Sequence, residues 1–242
     1  MRGQQYWGDA DMPNHSVFFV GFSLALSACG SKPGFPENVI EQAATCAVVA
    51  ASDARSTVKS LDTPLPLARQ SQIIQYALIA GARDPGFSRD NANAVVNRMQ
   101  SLQERITGDK WVPLVAPCKA AFPEAELGRG VALPAAPGEA EMACYALGDF
   151  MSRALGAYED AYRAQLIQYG GLTRKLEPVI ETVMTDRGIK AGADKERRAE
   201  KNKALATAAK LGTPSKVLDV CLERFPPDTE VKLPEKPKVS AL

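Results

Sequence analysis

The sequence predicts an all-α protein of two tandem disulfide-closed helical units, about four helices each, and three observations carry that prediction. Apolar residues recur at helical spacing through most of the chain, while no stretch shows the strict alternation of β-branched residues that marks a half-buried strand. Four cysteines remain after Cys29, an even number, and none forms a C-x-x-C pair. Three short motifs recur in the same order: an alanine-flanked cysteine (Cys46, Cys144), Gln-x-Ile-Gln-Tyr (72–76, 165–169) and Cys-x-x-x-Phe-Pro (118–123, 221–226).

The repeat selects among the three connectivities that four cysteines allow. Duplicating a closed unit duplicates its internal bridge, so the expected pairs are Cys46–Cys118 and Cys144–Cys221, spanning 72 and 77 residues. The competing pairs, Cys46–Cys221 with Cys118–Cys144, would tie the halves together. On a helix, Cys and the Phe four residues on share one face. The following Pro disfavours α geometry in that Phe, so the motif reads as the end of a helix cross-linked to an earlier one.

The elements follow in order. The expected domains are a leader over 1–28, a tether over 29–36, a first repeat over 37–123, a linker over 124–138, a second repeat over 139–226 and a disordered tail over 227–242. In the first repeat, a helix over Glu37–Leu61 carries small residues on one stripe (Ile40, Ala43, Ala47, Ala50, Ala54), which implies close helix–helix approach. Helices over Leu67–Ala82 and Arg89–Thr107 flank the turn "RDPGFS", and a short irregular helix contains Cys118. The second repeat opens with a long helix over Glu139–Tyr169 that "YGG" is expected to break. A helix over Leu172–Arg187 has Pro178 near its first turns, and a charged helix covers Lys190–Leu211. The last helix starts with Thr213 as N-cap and Pro214 at the first position.

Composition narrows the functions. Lys+Arg is 29 against Asp+Glu 28 in 242 residues, a formal charge of +1, so no electrostatic footprint for nucleic acid exists. The sole histidine, His15, lies in the leader, which removes Ser-His-Asp and Cys-His mechanisms and imidazole metal ligands from the rest. No G-x-S-x-G, H-E-x-x-H or phosphate-binding glycine loop occurs, and no cofactor or metal site is expected. Carboxylate chemistry survives this filter: Glu177 and Glu181 share a helix face, and Glu139 and Glu141 sit near another helix start, leaving a cell-envelope glycan hydrolase as the alternative reading. Lys190–Lys210 carries seven basic and three acidic residues and reads as a solvated helix face. Tyr145, Tyr158, Tyr162 and Tyr169 could line a pocket, but Tyr158 and Tyr162 follow helical spacing and are expected in the core.

The N-terminal segment has its own logic. Residues 16–28 are thirteen uncharged, mostly apolar or small residues, too short to span a bilayer and of the length of a signal-peptide core. Arg2 is the one basic residue before them, against Asp9 and Asp11, and Met12 offers a second start. Leu26-Ser27-Ala28-Cys29 resembles the lipobox of bacterial lipoproteins. The resemblance implies acylation of Cys29, a membrane anchor, and residence outside the cytoplasm. Gly30, where the family uses Asp for inner-membrane retention, implies the outer membrane facing the periplasm. With bridged cysteines and tandem helices, the expected function is that of a binding or scaffolding protein of the envelope with a protein partner.

Overall fold

The computed structural model describes residues 34–228, apart from 61, 84, 85 and 107. Cys29, the leader and residues 229–242 of the expected tail lie outside the described residues. Eight α-helices and three short 3-10 segments form the described chain, which contains no strand.

The first four helices are α1 (Val39–Ser56), α2 (Leu67–Gly81), α3 (Arg89–Gln103) and α4 (Val115–Ala121). Asn38 caps α1 by accepting from the backbone N–H groups of Ile40 and Glu41, and Ser88 caps α3 by accepting from Asn91. α1 is the central element: every residue from Ala43 to Ala50 is buried, so it is covered on all sides. Its alanines leave room for α2 and α3 to pack closely against it. Gly81 ends α2 because Phe87 folds back on it; a Cβ there would stand 2.5 Å from the Phe87 ring.

The second four are α5 (Glu139–Ala154), α6 (Glu159–Asp186), α7 (Asp194–Ala209) and α8 (Pro214–Arg224). α5 takes the central place, burying Ala140, Ala143, Cys144, Ala146, Leu147 and Gly148. It starts at Gly138, whose φ of 77° is left-handed, a conformation glycine adopts freely. Val183 presses on that glycine, 2.8 Å from where a Cβ would be.

Both expected bridges form. Cys46 on α1 joins Cys118 on α4 with Cα atoms 5.3 Å apart. Cys144 on α5 joins Cys221 on α8 at 5.7 Å, each within the roughly 4.4–6.8 Å that a bridge requires. In the chain-entropy picture, closing loops of this length contributes roughly 4 kcal/mol apiece. Both Cys-x-x-x-Phe-Pro motifs end their helices alike. Phe122 (φ −135°, ψ 66°) and Phe225 (φ −128°, ψ 63°) leave the α region, and each donates its N–H to the carbonyl of the bridged cysteine four residues back.

Two helix expectations need correction, and one holds in position only. "YGG" does not break a helix; α6 runs through Gly170 and Gly171, and the break falls earlier, at the 3-10 segment Gly156–Tyr158. Packing holds the glycines helical: Tyr169, Leu172 and Leu176 are buried around them, and Pro227 lies 3.1 Å from a Cβ position on Gly171. Pro178 therefore sits in the helix interior, on the exposed face, where water can satisfy the carbonyl it leaves unbonded. The charged helix is shorter than expected, Asp194–Ala209. Thr213 holds the N-cap position of α8 with extended backbone, but its side chain makes no capping bond; it is buried instead.

The halves share one continuous hydrophobic core. α2 is the stitch between them. Its Ser71 hydroxyl meets that of Ser215 on α8 at 2.7 Å, and its fully buried Gln75 donates to the Ala209 carbonyl at the end of α7, 2.6 Å away. Tyr162 on α6 reaches back to the Leu65 carbonyl at 2.7 Å. Residues 124–138, expected as a linker, lie on this core: Ala125 is buried and accepts from Gln72, while Val131 and Leu133 pack against it.

The serine pair is testable. Ser71→Ala leaves the Ser215 hydroxyl without its partner and should lower unfolding free energy by about 1–2 kcal/mol; Ser215→Ala leaves Ser71 its bond to the Ala68 carbonyl at 3.1 Å and should cost less. The double variant should lose clearly less than the sum in urea denaturation, the signature of direct coupling.

Candidate functional site

Two hollows lie on opposite sides of α1. By the turn of a helix, Val48, Ala51, Ser52 and Arg55 project to one face, and Val49, Ala50 and Asp53 to the other.

The first hollow is a half-open groove of about 610 Å³ between α1, α3 and the 3-10 segment Gly108–Leu114. α3 packs on α1 through Ala92, Val95 and Leu102, which leaves the adjacent Val96 and Met99 along the groove wall. Trp111 also lines it. Val96, in the groove wall, is 49% exposed, and Val112, next to Trp111 in the chain, is 51% exposed. Arg55 lines it too, its guanidinium donating to the Thr63 carbonyl at 2.7 Å.

The second hollow, of about 410 Å³, is polar and lies between α1, α2 and α4 beside the Cys46–Cys118 bridge. Asp53 and Arg69 form an ion pair across it at 2.9 Å. Tyr76 stands in its wall, fixed edge-on by the Phe122 ring with centroids 5.5 Å apart. Burial, with the Glu126 carboxylate adding to it, pushes the Tyr76 phenol up to about 12. A third, smaller hollow of about 280 Å³ sits where Phe87 meets Phe150 between the halves.

The residues singled out in the sequence lie elsewhere. Glu139 pairs with Arg187 at 2.6 Å, and Arg187 also bonds Glu200. Glu181 pairs with Arg197, Glu177 is exposed, and Glu141 is half-buried. Glu139 and Glu181 therefore help lace α5, α6 and α7 together. The charged helix divides along its length: Ala204, Leu205, Ala206, Ala208 and Ala209 at its C-terminal end are buried, and its charged first part is solvated. Lys201 lies over the Tyr145 ring, 4.9 Å from the centroid.

The tyrosines do not converge on a pocket. Tyr162 and Tyr169 are buried as core, but Tyr158 is 54% exposed, against expectation. Tyr158 closes the 3-10 segment and Tyr162 has non-helical backbone (φ −123°, ψ 21°); the two rings still meet edge-on with centroids 6.5 Å apart, Tyr162 on the core side and Tyr158 on the solvent side. Tyr169, with its hydroxyl enclosed and unpartnered, is likewise raised well above an ordinary phenol by burial, with Asp219 adding to it. Among the described residues no cluster of potential metal ligands occurs, and no helix is long and apolar enough to cross a membrane.

Comparison with protein-family models, curated proteins and solved structures finds no match for this chain. The groove had one sequence signal: Val96 widens the Val95–Met99–Leu102 stripe of α3 beyond what one neighbour can cover. The polar hollow had none, because its charges come from three helices and from Glu126 in the segment after α4.

The Tyr76 shift has a definite sign. The fold favours the neutral phenol, so its stabilising effect is complete below pH 10 and is lost as the pH rises from 10 towards 12. Relative to wild type, Tyr76→Phe should be spared about 2 kcal/mol of the stability lost between pH 9 and 11.5, measured by urea denaturation at each pH.

Proposed function

We propose that this chain is a lipid-anchored helical binding or scaffolding protein of the bacterial cell envelope, held by acylated Cys29 at the outer membrane and facing the periplasm. The half-open apolar groove between α1 and α3, flanked by exposed Val96 and Val112, carries the binding part of this reading. Exposed apolar surface in a groove is where a partner's apolar segment gains most from leaving water. The occupant is an apolar segment of another envelope protein. The two bridges suit an exported chain, since disulfides persist in oxidising compartments.

The architecture also supports descent from one duplicated unit. In each half the first helix is the central one, bridged to the last, and the two Phe-Pro helix ends share one backbone geometry. The glutamine–tyrosine motifs fall on α2 and α6, each placing its tyrosine in the core.

Two measurements test the proposal. Cys29→Ala should abolish incorporation of labelled fatty acid and release the chain from membranes; a wild-type protein without acyl mass overturns the anchor. A photo-crosslinker at position 99 should yield a discrete adduct with one envelope protein. The pair Val96→Asp and Val112→Asp should weaken that adduct tenfold or more, since burying each valine is worth about 1.5 kcal/mol, while leaving the melting midpoint within a few degrees. An adduct indifferent to these substitutions overturns the groove assignment.

A further inference from the structure

The polar hollow on the other side of α1 has a composition that specifies a ligand. Its volume of about 410 Å³ falls in the range of small-molecule sites, roughly 300–1,000 Å³. Of its four charged side chains, Asp53 and Arg69 neutralise each other at 2.9 Å. Lys119 and Glu126 also line it, and among the described residues neither has an ion-pair partner, including the other. Tyr76 is 5% exposed, and its hydroxyl has no hydrogen-bond partner among the described residues. Its hydroxyl is not enclosed by protein and is open to a ligand in the hollow it lines.

We propose that this hollow binds a zwitterionic small molecule of amino-acid to short-peptide size, with its carboxylate at Lys119, its ammonium at Glu126, and the Tyr76 hydroxyl donating to it. Charge selects this class. A simple anion would meet the Glu126 carboxylate, and a simple cation would meet the Lys119 ammonium; a ligand carrying both charges satisfies both, and the site is neutral overall. Val49, Ala50 and Val115 offer apolar wall for the body of the ligand. The Gln72 amide, anchored on the Ala125 carbonyl at 2.9 Å, holds the segment carrying Glu126 against α2. The inference is independent of the groove and of the anchor.

The test uses the purified full chain, titrated calorimetrically and by amide NMR with three zwitterionic dipeptides: alanyl-alanine, leucyl-leucine and glycyl-tyrosine. Each is compared with its N-acetylated and its C-amidated form. At least one free dipeptide should bind saturably with a Kd below about 1 mM, shifting the amides of Gln72, Ala125 and Gly128, and either cap should weaken it about tenfold, worth 1.4 kcal/mol. Lys119→Met should erase the penalty of amidation while keeping that of acetylation; Glu126→Gln should do the reverse. Both side chains are exposed, so these variants should keep the wild-type melting midpoint, and Tyr76→Phe should weaken binding several-fold. Absence of saturable binding by all three dipeptides overturns the proposal, as does binding indifferent to the caps, or cap penalties unchanged in both variants.

Discussion

Close approach of alanine-lined helices is the constraint on which the rest of this structure depends. α1 and α5 present small side chains where their neighbours cross, and that proximity places Cys46 and Cys144 within bridging range of α4 and α8. Larger side chains at Ala43, Ala47 or Ala143 would push the packed helices apart, and a disulfide tolerates little change in Cα separation. The bridges then hold the two shortest α-helices, α4 with seven residues and α8 with eleven. Helices of that length are marginal alone and owe their persistence to what they are tied to.

A second layer of specificity joins the halves. Apolar burial alone would leave α2 free to slide against α7 and α8, because hydrophobic contact is non-directional. Ser71 and Gln75 remove that freedom: each is buried and each has one partner, at 2.7 and 2.6 Å, in the other half. A shift of register would break both bonds and strand the Gln75 amide in the core, while Ser71 would keep only its local bond to the Ala68 carbonyl. The cost is visible at the Gln75 Oε1 atom, which is buried without a partner. Ion pairs among α5, α6 and α7 act at the surface, where each contributes little and mainly sets orientation.

α1 also separates two chemically unlike surfaces. One side offers Val48 and Ala51 to an apolar groove; the other offers Asp53 to a polar hollow beside the bridge. Because α1 is packed along its length and cross-linked at Cys46, both surfaces rest on a rigid wall. A pre-formed wall lowers the ordering cost of binding on either side. The placement of Phe122 shows how the fold couples the helix end to the hollow. The ring that terminates α4 is also the ring that fixes Tyr76.

By itself the sequence determined the helical class, the positions of most helices, the two helix ends at Phe-Pro and, through the ordered echo of three motifs, the pairing of four cysteines. These are local or repeated signals: side-chain period, capping residues, the backbone restriction before proline. Tertiary structure decided what depends on partners distant in the chain. Gly170 and Gly171 stay helical because buried neighbours hold them and Pro227 occupies the space a Cβ would fill at Gly171, outweighing glycine's weak preference. Tyr158 keeps its ring against that of Tyr162, as their spacing implied, yet it stands in the 3-10 segment just before Glu159, where no further element covers its outer side. Glu139 and Glu181 became ion-pair partners because α6 and α7 bring Arg187 and Arg197 to them. Both hollows belong to this second class, for a cavity is the space that several packed elements leave between them, and no single segment encodes it.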